Sequence, residues 1–381
     1  MSSLRPLVAL ALGAALWLPQ VHRCFTPSLA ARAALAGQVG EPQLRQLALA
    51  PGARELAALG ATNPEWELLG RGFLALGLAD LALASPGLAA RHVAALDQLV
   101  DETLADERAG GPRRFLLPYA QRGPLERSLF VDGQVALMLA ARLHVAPRPE
   151  LRARLEERVR LLEAALDRPA PRLAESYPGE CWTYDHTGAL AALRLWDALS
   201  GDDHRPLAAR WLAMARERLV DRETGLLVSS FRPDGRALEG PEGSTLWVSA
   251  YNLLLVDEAF AREQYEKGRR VFRREVLGFV TAREWPAGVS RPDIDSGPVV
   301  PWLEASPGSS GLLLVAAAAF DDRPTLEGLL ASLELAAFPI ESEGGRRYAA
   351  AGSIGNSALV RALGFGPLWR RAASAPAGKV G

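Results

Sequence analysis

Two kinds of hydrophobic pattern alternate along most of the chain. Six segments are apolar on nearly all sides, and they begin near residues 64, 125, 182, 244, 309 and 353. Most of them are followed, after a short turn, by a segment with a single apolar stripe. A helix that is apolar all round is buried on every side, whereas a helix with one stripe covers the outside of a core. The pattern therefore predicts helical hairpins that each pair an inner helix with an outer one.

Six such hairpins predict an all-α fold, an (α/α)6 toroid or barrel with an inner ring of helices inside an outer ring. The segment before residue 60 is expected to supply the outer helix that the hairpins leave missing. Turns within a hairpin are short, but the connections between hairpins cover residues 108–123, 168–181, 221–243, 278–308 and 338–352. Connections of this length tend to be functional, and in a ring they gather at one mouth. The third is predicted to contain a small β-hairpin around Pro233-Asp-Gly.

The N-terminal segment is strongly apolar. Arg5 precedes an apolar run over residues 6–18, which fits the roughly 7–15 apolar residues of a secretory signal. A full membrane span needs about 20. We therefore expect a signal peptide or membrane anchor, with membrane association through residues 6–21 and the protein exported or held on the periplasmic side of the inner membrane. An ordinary buried N-terminal helix is the alternative.

The domain organisation follows from these patterns. We expect the signal or anchor over residues 1–25, a single barrel domain over residues 40–372, and a flexible tail over residues 373–381. Hydrophobic residues are 49% and charged residues 23% of the 381, as in a folded globular protein. The net charge of −1 excludes the polybasic surface that nucleic-acid binding requires.

The numbers of cysteines and histidines limit the kinds of metal and disulfide sites that the chain can form. Cys24 and Cys181 are the two cysteines, too few for a disulfide framework or a cysteine-rich metal site. Of five histidines, one, His186, lies near the predicted mouth, which excludes a three-histidine metal site. We expect no metal and no cofactor, and a small-molecule substrate as partner; homo-oligomerisation stays open.

Ionisable side chains crowd the start of the third inner helix. They are Glu180, Cys181, Tyr184, Asp185 and His186. A helix N-terminus lowers the pKa of a thiol, and histidine transfers protons near neutral pH. Cys181 and Asp185 are four residues apart and share a face if the helix begins early. We predict catalytic roles for Cys181, Asp185, His186 and Glu180. The alternative is that Asp185 and His186 anchor the helix while Cys181 packs as a small hydrophobe.

Other polar and aromatic residues are candidates around the mouth. Asp132 interrupts an apolar helix, and a buried carboxylate must be paired or protonated, so it is either catalytic or structural. Asp293 and Asp295, two residues apart in the longest loop, suit an acid–base pair, a cation site or an Asx turn. The predicted substrate-binding residues are Tyr177, Tyr184, Glu242, Ser244, Trp247, Tyr251, Trp285, Asp293, Asp295 and Trp302.

Six motifs together resemble a known family. They are Asn63-Pro-Glu-Trp-Glu-Leu-Leu-Gly-Arg, Ser128-Leu-Phe-Val-Asp-Gly-Gln, Tyr177-Pro-Gly-Glu-Cys-Trp-Thr-Tyr, Gly240-Pro-Glu-Gly-Ser, Arg283-Glu-Trp-Pro and Asp293-Ile-Asp-Ser-Gly-Pro. Over roughly residues 60–370 the chain resembles the bacterial linalool dehydratase/isomerase-like domain family. The resemblance implies an (α/α)6 barrel that adds or removes water, or shifts a double bond, on a terpene alcohol without a cofactor. It implies a catalytic role for Cys181, with Asp185 or His186 beside it.

Three functions compete at this point. The first is a cofactor-independent lyase or isomerase that uses thiol and acid–base chemistry on a small apolar alcohol. The second is a carbohydrate-active enzyme, which needs two carboxylates facing one cavity. The candidates for that pair are Asp132, Glu180, Asp185 and Asp295. The third is a non-catalytic envelope protein whose central cavity is filled by side chains.

Overall fold

The computed structural model describes residues 4–28, 32–168, 172–289 and 297–374. Helices dominate the described residues. They are α1 (Leu4–Trp17), α2 (Arg32–Ala48), α3 (Glu55–Gly60), α4 (Pro64–Ala84), α5 (Ala89–Gly110), α6 (Pro118–Gln121), α7 (Leu129–Val145), α8 (Pro149–Leu166), α9 (Thr183–Ser200), α10 (Arg205–Arg218), α11 (Gly243–Leu253), α12 (Glu258–Phe272), α13 (Pro307–Ala319), α14 (Arg323–Ala336), α15 (Gly352–Gly364) and α16 (Pro367–Ala373). The strands are β1 (Cys181–Trp182), β2 (Ser230–Phe231), β3 (Ala237–Glu239), β4 (Arg273–Val276), β5 (Phe279–Ala282), β6 (Pro339–Ser342) and β7 (Gly345–Tyr348).

Six helices close an inner ring. They are α4, α7, α9, α11, α13 and α15; each packs against the next, and α15 packs against α4. The outer ring consists of α2, α5, α8, α10, α12 and α14. The predicted (α/α)6 toroid is confirmed, and α2 is the outer helix expected before residue 60. In α7 every residue from Leu129 to His144 is buried, as its all-round apolar pattern predicts.

The helix starts follow ordinary capping chemistry. The Asn63 side chain accepts a hydrogen bond from the backbone N–H of Trp66 at 3.0 Å, and Pro64 occupies the first helical position of α4. Asp257, Ser306 and Asp322 cap α12, α13 and α14 in the same way. Inner helices thus begin at defined residues on the mouth side of the ring.

Three small antiparallel sheets lie in the long connections. The predicted hairpin is confirmed as β2 paired with β3, and β1 adds a third strand. Helix α12 ends at Phe272, and the chain continues directly into β4, which pairs with β5. Their two-residue turn has φ of 53° at Leu277 and 83° at Gly278, the type I′ geometry that suits a twisted hairpin. The charged residues of β4 continue the hydrophobic and polar pattern of α12, so the sequence pattern does not indicate where the helix ends and the strand begins.

A short C-terminal helix closes the end of the ring opposite the mouth. Helix α16 packs against α4, α7 and α9, and the Trp369 indole donates a hydrogen bond to the backbone oxygen of Tyr251 on α11. Arg361 of α15 forms a fully buried ion pair with Asp80 of α4. Its guanidinium also lies 4.2 Å from the ring centroids of both Phe365 and Trp369. Helix α16 therefore lies across the end of the inner ring opposite the mouth.

The N-terminal segment lies outside the barrel. No residue of α1 is buried, and a short 3₁₀ helix, Leu18–Cys24, continues it. Leu4–Cys24 is long and apolar enough to cross a membrane by length and composition. It is compatible with an export signal or an anchor, and the expected domain division stays a prediction.

Replacing Arg361 with methionine is expected to destabilise the barrel strongly. The change leaves Asp80 buried without its partner, and breaking a buried pair this way costs about 3–5 kcal/mol. Urea unfolding of the full chain in mild detergent measures the loss. Arg323→Met is the matched control, because Arg323 pairs with Glu327 on an exposed helix face and its loss costs at most about 1 kcal/mol. Equal unfolding midpoints for the two variants would refute the role given to the buried pair.

Candidate functional site

The start of α9 places a carboxyl group at the mouth. The backbone N–H of Thr183 bonds to the backbone oxygen of Ser229 at 3.0 Å, which fixes the first turn of α9 against the sheet. Asp185 follows in that turn with its residue only 3% exposed. Burial raises the pKa of Asp185 to about 8; the nearby Ser176 hydroxyl opposes the rise, and the charge of Glu65 adds to it. Asp185 therefore carries a proton at neutral pH.

A second carboxyl group comes from the first inner helix. Glu65 lies in the first turn of α4, and its Oε1 accepts a hydrogen bond from the backbone N–H of Leu117 at 2.9 Å. Burial raises the pKa of Tyr177 well above its usual value, and the charges of Glu65 and Asp185 and a hydrogen bond to Glu65 add to the rise. The Tyr177 hydroxyl thus lies close to both carboxyl groups, one from each of two inner helices.

Aromatic rings extend this cluster outward. Tyr177 is stacked between Phe130 and Tyr119, with ring centroids 6.4 Å and 6.5 Å away. Tyr119 is 54% exposed. The stack therefore covers the Tyr177 ring and leaves the Tyr119 ring as the apolar surface open to solvent.

Beneath the cluster the lumen is lined with polar groups. Gln134 donates a hydrogen bond from Nε2 to the Tyr184 hydroxyl at 2.7 Å. Tyr251 lies deeper, against Phe365 and Trp369 of the closed end, and burial raises its pKa to about 12. Of these two predicted substrate-binding tyrosines, Tyr184 therefore lies nearer the mouth, and Tyr251 lies at the closed end of the ring.

Cys181 does not occupy the position expected of a reactive thiol. It lies in β1 rather than in α9, so it does not share a helix face with Asp185. Its side chain is fully buried, with Sγ 3.8 Å from the backbone oxygen of Leu173. Burial, followed by the charges of Glu175 and Asp185, raises the pKa of the thiol. The expectation that the helix N-terminus lowers this pKa is wrong, because Cys181 is buried in β1, outside α9.

His186 faces the outer layer rather than the lumen. Its ring stacks on Trp211 of α10 at 5.9 Å and touches Phe231 at 5.2 Å between centroids, and Nδ1 lies 2.9 Å from the backbone oxygen of Trp182. Burial lowers the pKa of His186 to about 4, so the ring is neutral. The predicted proton transfer by His186 at the mouth is not supported by this position.

Asp132 belongs to a separate ion-pair cluster. Arg127 and Arg158 both bind its carboxylate, and Arg158 also binds Glu107. The cluster borders a cleft of about 320 Å³ that Leu104 of α5 and Leu161 of α8 also line. The structural alternative for Asp132, a buried carboxylate paired with neighbouring residues, fits this arrangement.

Most remaining candidates lie around other parts of the mouth. Glu242 and Ser244 are half-buried at the start of α11, and the Ser244 backbone N–H donates to the buried carboxylate of Glu284 at 3.1 Å. Glu180 is half-buried next to β1 and forms a bridge with Tyr177. Asp293 and Asp295 lie outside the described residues.

The three tryptophans divide between core and surface. Trp247 is fully buried against Tyr265 and Phe272 of α12, and its indole donates to Ser309 Oγ at 3.0 Å. It therefore cannot line the lumen as predicted. Trp285 is buried, and Trp302 is 97% exposed.

Two residues of the cluster escaped the sequence analysis. Glu65 lies in the first turn of α4, where an acid commonly complements the helix dipole, and Tyr119 lies in a connection without a recognisable motif. The signal for Glu65 was its place in the first turn of an inner helix, which the ring brings to the mouth. Within the residues that the structure describes, no group of three or more His, Cys, Asp and Glu side chains is arranged to hold a metal ion.

Solved structures share this fold. No family sequence model and no curated protein sequence matches the chain. The GH76 alpha-mannanase from Bacteroides thetaiotaomicron matches with a TM-score of 0.52 and 10% identity over 78% of this chain and 86% of its own. The unsaturated glucuronyl hydrolase from Bacillus sp. GL1, responsible for the degradation of glycosaminoglycan, matches with a TM-score of 0.51 and 14% identity over 77% and 84%.

These likenesses define the class of protein, an (α/α)6 barrel. At 10% and 14% identity they establish the fold alone. The barrel that the motif resemblance implied is therefore confirmed, and the linalool dehydratase/isomerase-like family itself is not shown.

Asp185→Asn is expected to change how stability depends on pH. The folded protein holds the Asp185 proton up to about pH 8, whereas the unfolded chain releases it near 3.8. The wild type therefore loses stability as the pH rises from about 4 to about 8, by up to about 1.4 kcal/mol per unit from this group. The variant lacks that contribution. Urea unfolding at several pH values measures the difference, with exposed Asp167→Asn as control; parallel curves for wild type and Asp185→Asn would contradict the assignment.

Cys181 is expected to resist alkylation in the folded protein. In a Cys24→Ser background, iodoacetamide should label Cys181 slowly at neutral pH and rapidly in urea, because its burial excludes both the reagent and the thiolate. Mass spectrometry over time measures the two rates. Rapid labelling of the folded chain well below the reference pKa of about 8.5 would restore the reactive-thiol hypothesis.

Proposed function

We propose that the chain is a carbohydrate-active enzyme that hydrolyses a glycosidic bond at the mouth of the barrel. The observation that carries the proposal is the buried Asp185, whose pKa is raised, in one cluster with Glu65 and Tyr177 at the first turns of two inner helices. Glycoside hydrolysis needs one carboxylic acid with a raised pKa and one carboxylate. Asp185 is assigned as the acid and Glu65 as the carboxylate.

The two groups suffice for a balanced reaction. Asp185 donates its proton to the glycosidic oxygen as the bond from that oxygen to the anomeric carbon breaks. A water molecule attacks the anomeric carbon and gives a proton to Glu65, and exchange with solvent returns both groups to their starting states. Tyr177 acts as a positioning residue, since its hydroxyl hydrogen-bonds to Glu65.

The aromatic stack supports a sugar over a small apolar alcohol. Sugar rings present apolar faces that pack on aromatic side chains, and the exposed ring of Tyr119 at the outer end of the stack offers such a surface. The two solved structures described above are named for activity on mannan and on glycosaminoglycan fragments. Fold likeness at this identity does not select a reaction, so these names only guide the choice of substrates to test.

The lyase or isomerase function remains as a second candidate. Dehydration of an alcohol also needs a proton donor, and the neutral Asp185 suits that step. The thiol that the resemblance implied is buried and neutral in this structure. A lyase or isomerase reaction would therefore use Asp185 and not Cys181 as its proton donor. Its apolar substrate would bind beside the same polar groups at the mouth.

A substrate screen with matched variants tests the proposal. Oligosaccharides from mannan and glycosaminoglycans and a set of alkenols are incubated with the full chain, and released reducing ends and loss of water are followed. For a hydrolysed glycan, Asp185→Asn and Glu65→Gln are expected to lower kcat about 10²–10⁴-fold. Wild-type activity should fall above about pH 8, as Asp185 loses its proton.

Controls separate the candidates. Asp167→Asn, an exposed change of the same chemistry, and Cys181→Ala should retain near-wild-type activity on the glycan. Turnover of an alkenol that Cys181→Ala abolishes and Asp185→Asn preserves would overturn the proposal in favour of thiol-dependent lyase or isomerase chemistry.

A further inference from the structure

Exposed apolar side chains are distributed unevenly over the barrel. Outside the N-terminal segment, the exposed large hydrophobic residues that the structure describes share one kind of position in the chain. Each occurs in a connection from an outer helix to the next inner helix, or in the last turn of an outer helix. A patch of this kind on an otherwise ordinary surface marks an interaction site.

The patch is densest in two neighbouring connections, α12 to α13 and α14 to α15. Its members are Val276, Leu277, Trp302, Leu303, Phe338 and Ile340, defined here as the docking surface. Trp302 is 97% exposed and Phe338 is 70% exposed. An ion pair between Arg274 on β4 and Glu304, 3.0 Å apart, ties the loop of Trp302 to the hairpin of Leu277. Helix α14 packs along β5, which brings the second connection to the same side.

The N-terminal segment ends at this surface. The His22 ring lies 6.3 Å and the Phe25 ring 5.9 Å from the Phe279 ring, between centroids, and Phe279 opens β5 directly after the Leu277-Gly278 turn. The 3₁₀ helix Leu18–Cys24 also packs against α14. The 21 residues of Leu4–Cys24 match the roughly 20 that cross a bilayer. A span that ends at Cys24 places the β4–β5 turn at the membrane–water interface.

We propose that the docking surface rests in the interfacial region of a lipid bilayer, with Leu4–Cys24 as the anchor and the α12–α14 side of the barrel turned toward the membrane. Tryptophan is favoured at that depth, where its ring meets both apolar and polar surroundings. The proposal is independent of the reaction at the mouth. Continuity between the anchor and the patch favours lipid over a second copy of the chain as the occupant.

Site-specific labelling tests the depth of the surface. In a Cys24→Ser background, Trp302→Cys and Phe338→Cys are each labelled with an environment-sensitive fluorophore, since Cys181 is buried. Gly87→Cys is the matched control at the opposite end of the barrel, where a Cβ meets nothing within 4 Å. Each full-length protein is placed in phosphatidylcholine nanodiscs with and without lipids that carry a spin label near the head group.

The expected result is several-fold stronger quenching by the lipid spin label at positions 302 and 338 than at position 87. Equal quenching at all three positions, or equal access to an aqueous quencher, overturns the proposal. Protection of positions 302 and 338 that rises with protein concentration and not with lipid also overturns it, because it identifies a second copy as the occupant.

Discussion

The buried ion pair between Asp80 and Arg361 is the contact that closes the ring. Asp80 belongs to the first inner helix and Arg361 to the last, so the pair joins residues 281 positions apart in the chain. Two buried charges are tolerated only when they are paired and hydrogen-bonded, and Asp80 also accepts the backbone N–H of Leu368 at 2.8 Å. The same guanidinium stacks on Phe365 and Trp369. Ring closure and the sealing of one end therefore depend on the same side chains.

Sealing one end determines where chemistry can take place. With α16 across the floor, the N-terminal turns of the inner helices converge at the opposite end, the mouth. Asp185 and Glu65 both lie in such turns, and burial there keeps the proton on Asp185. A carboxyl group that is protonated at neutral pH beside another carboxyl group is the arrangement that acid–base catalysis requires.

Part of the candidate site could be predicted because its residues lie close together in the sequence. Asp185, Tyr177 and Tyr184 stand in one dense run of ionisable residues, and that run does reach the mouth. The direction of each side chain could not be predicted. Helix α9 begins at Thr183, which leaves Cys181 in strand β1, and His186 packs on Trp211 of the outer layer. Glu65 joins Asp185 only because the ring brings α4 and α9 to the same end.

The sequence by itself determined the number of hairpins, the order of inner and outer helices, and the mouth as the gathering place of long loops. Hydrophobic periodicity carries that information, because burial on all sides and burial on one face leave different patterns. The tertiary structure alone decided which carboxyl groups meet, that burial raises the pKa of Cys181, and that α16 seals the floor. Those outcomes depend on contacts between residues far apart in the chain and on the desolvation that such contacts produce.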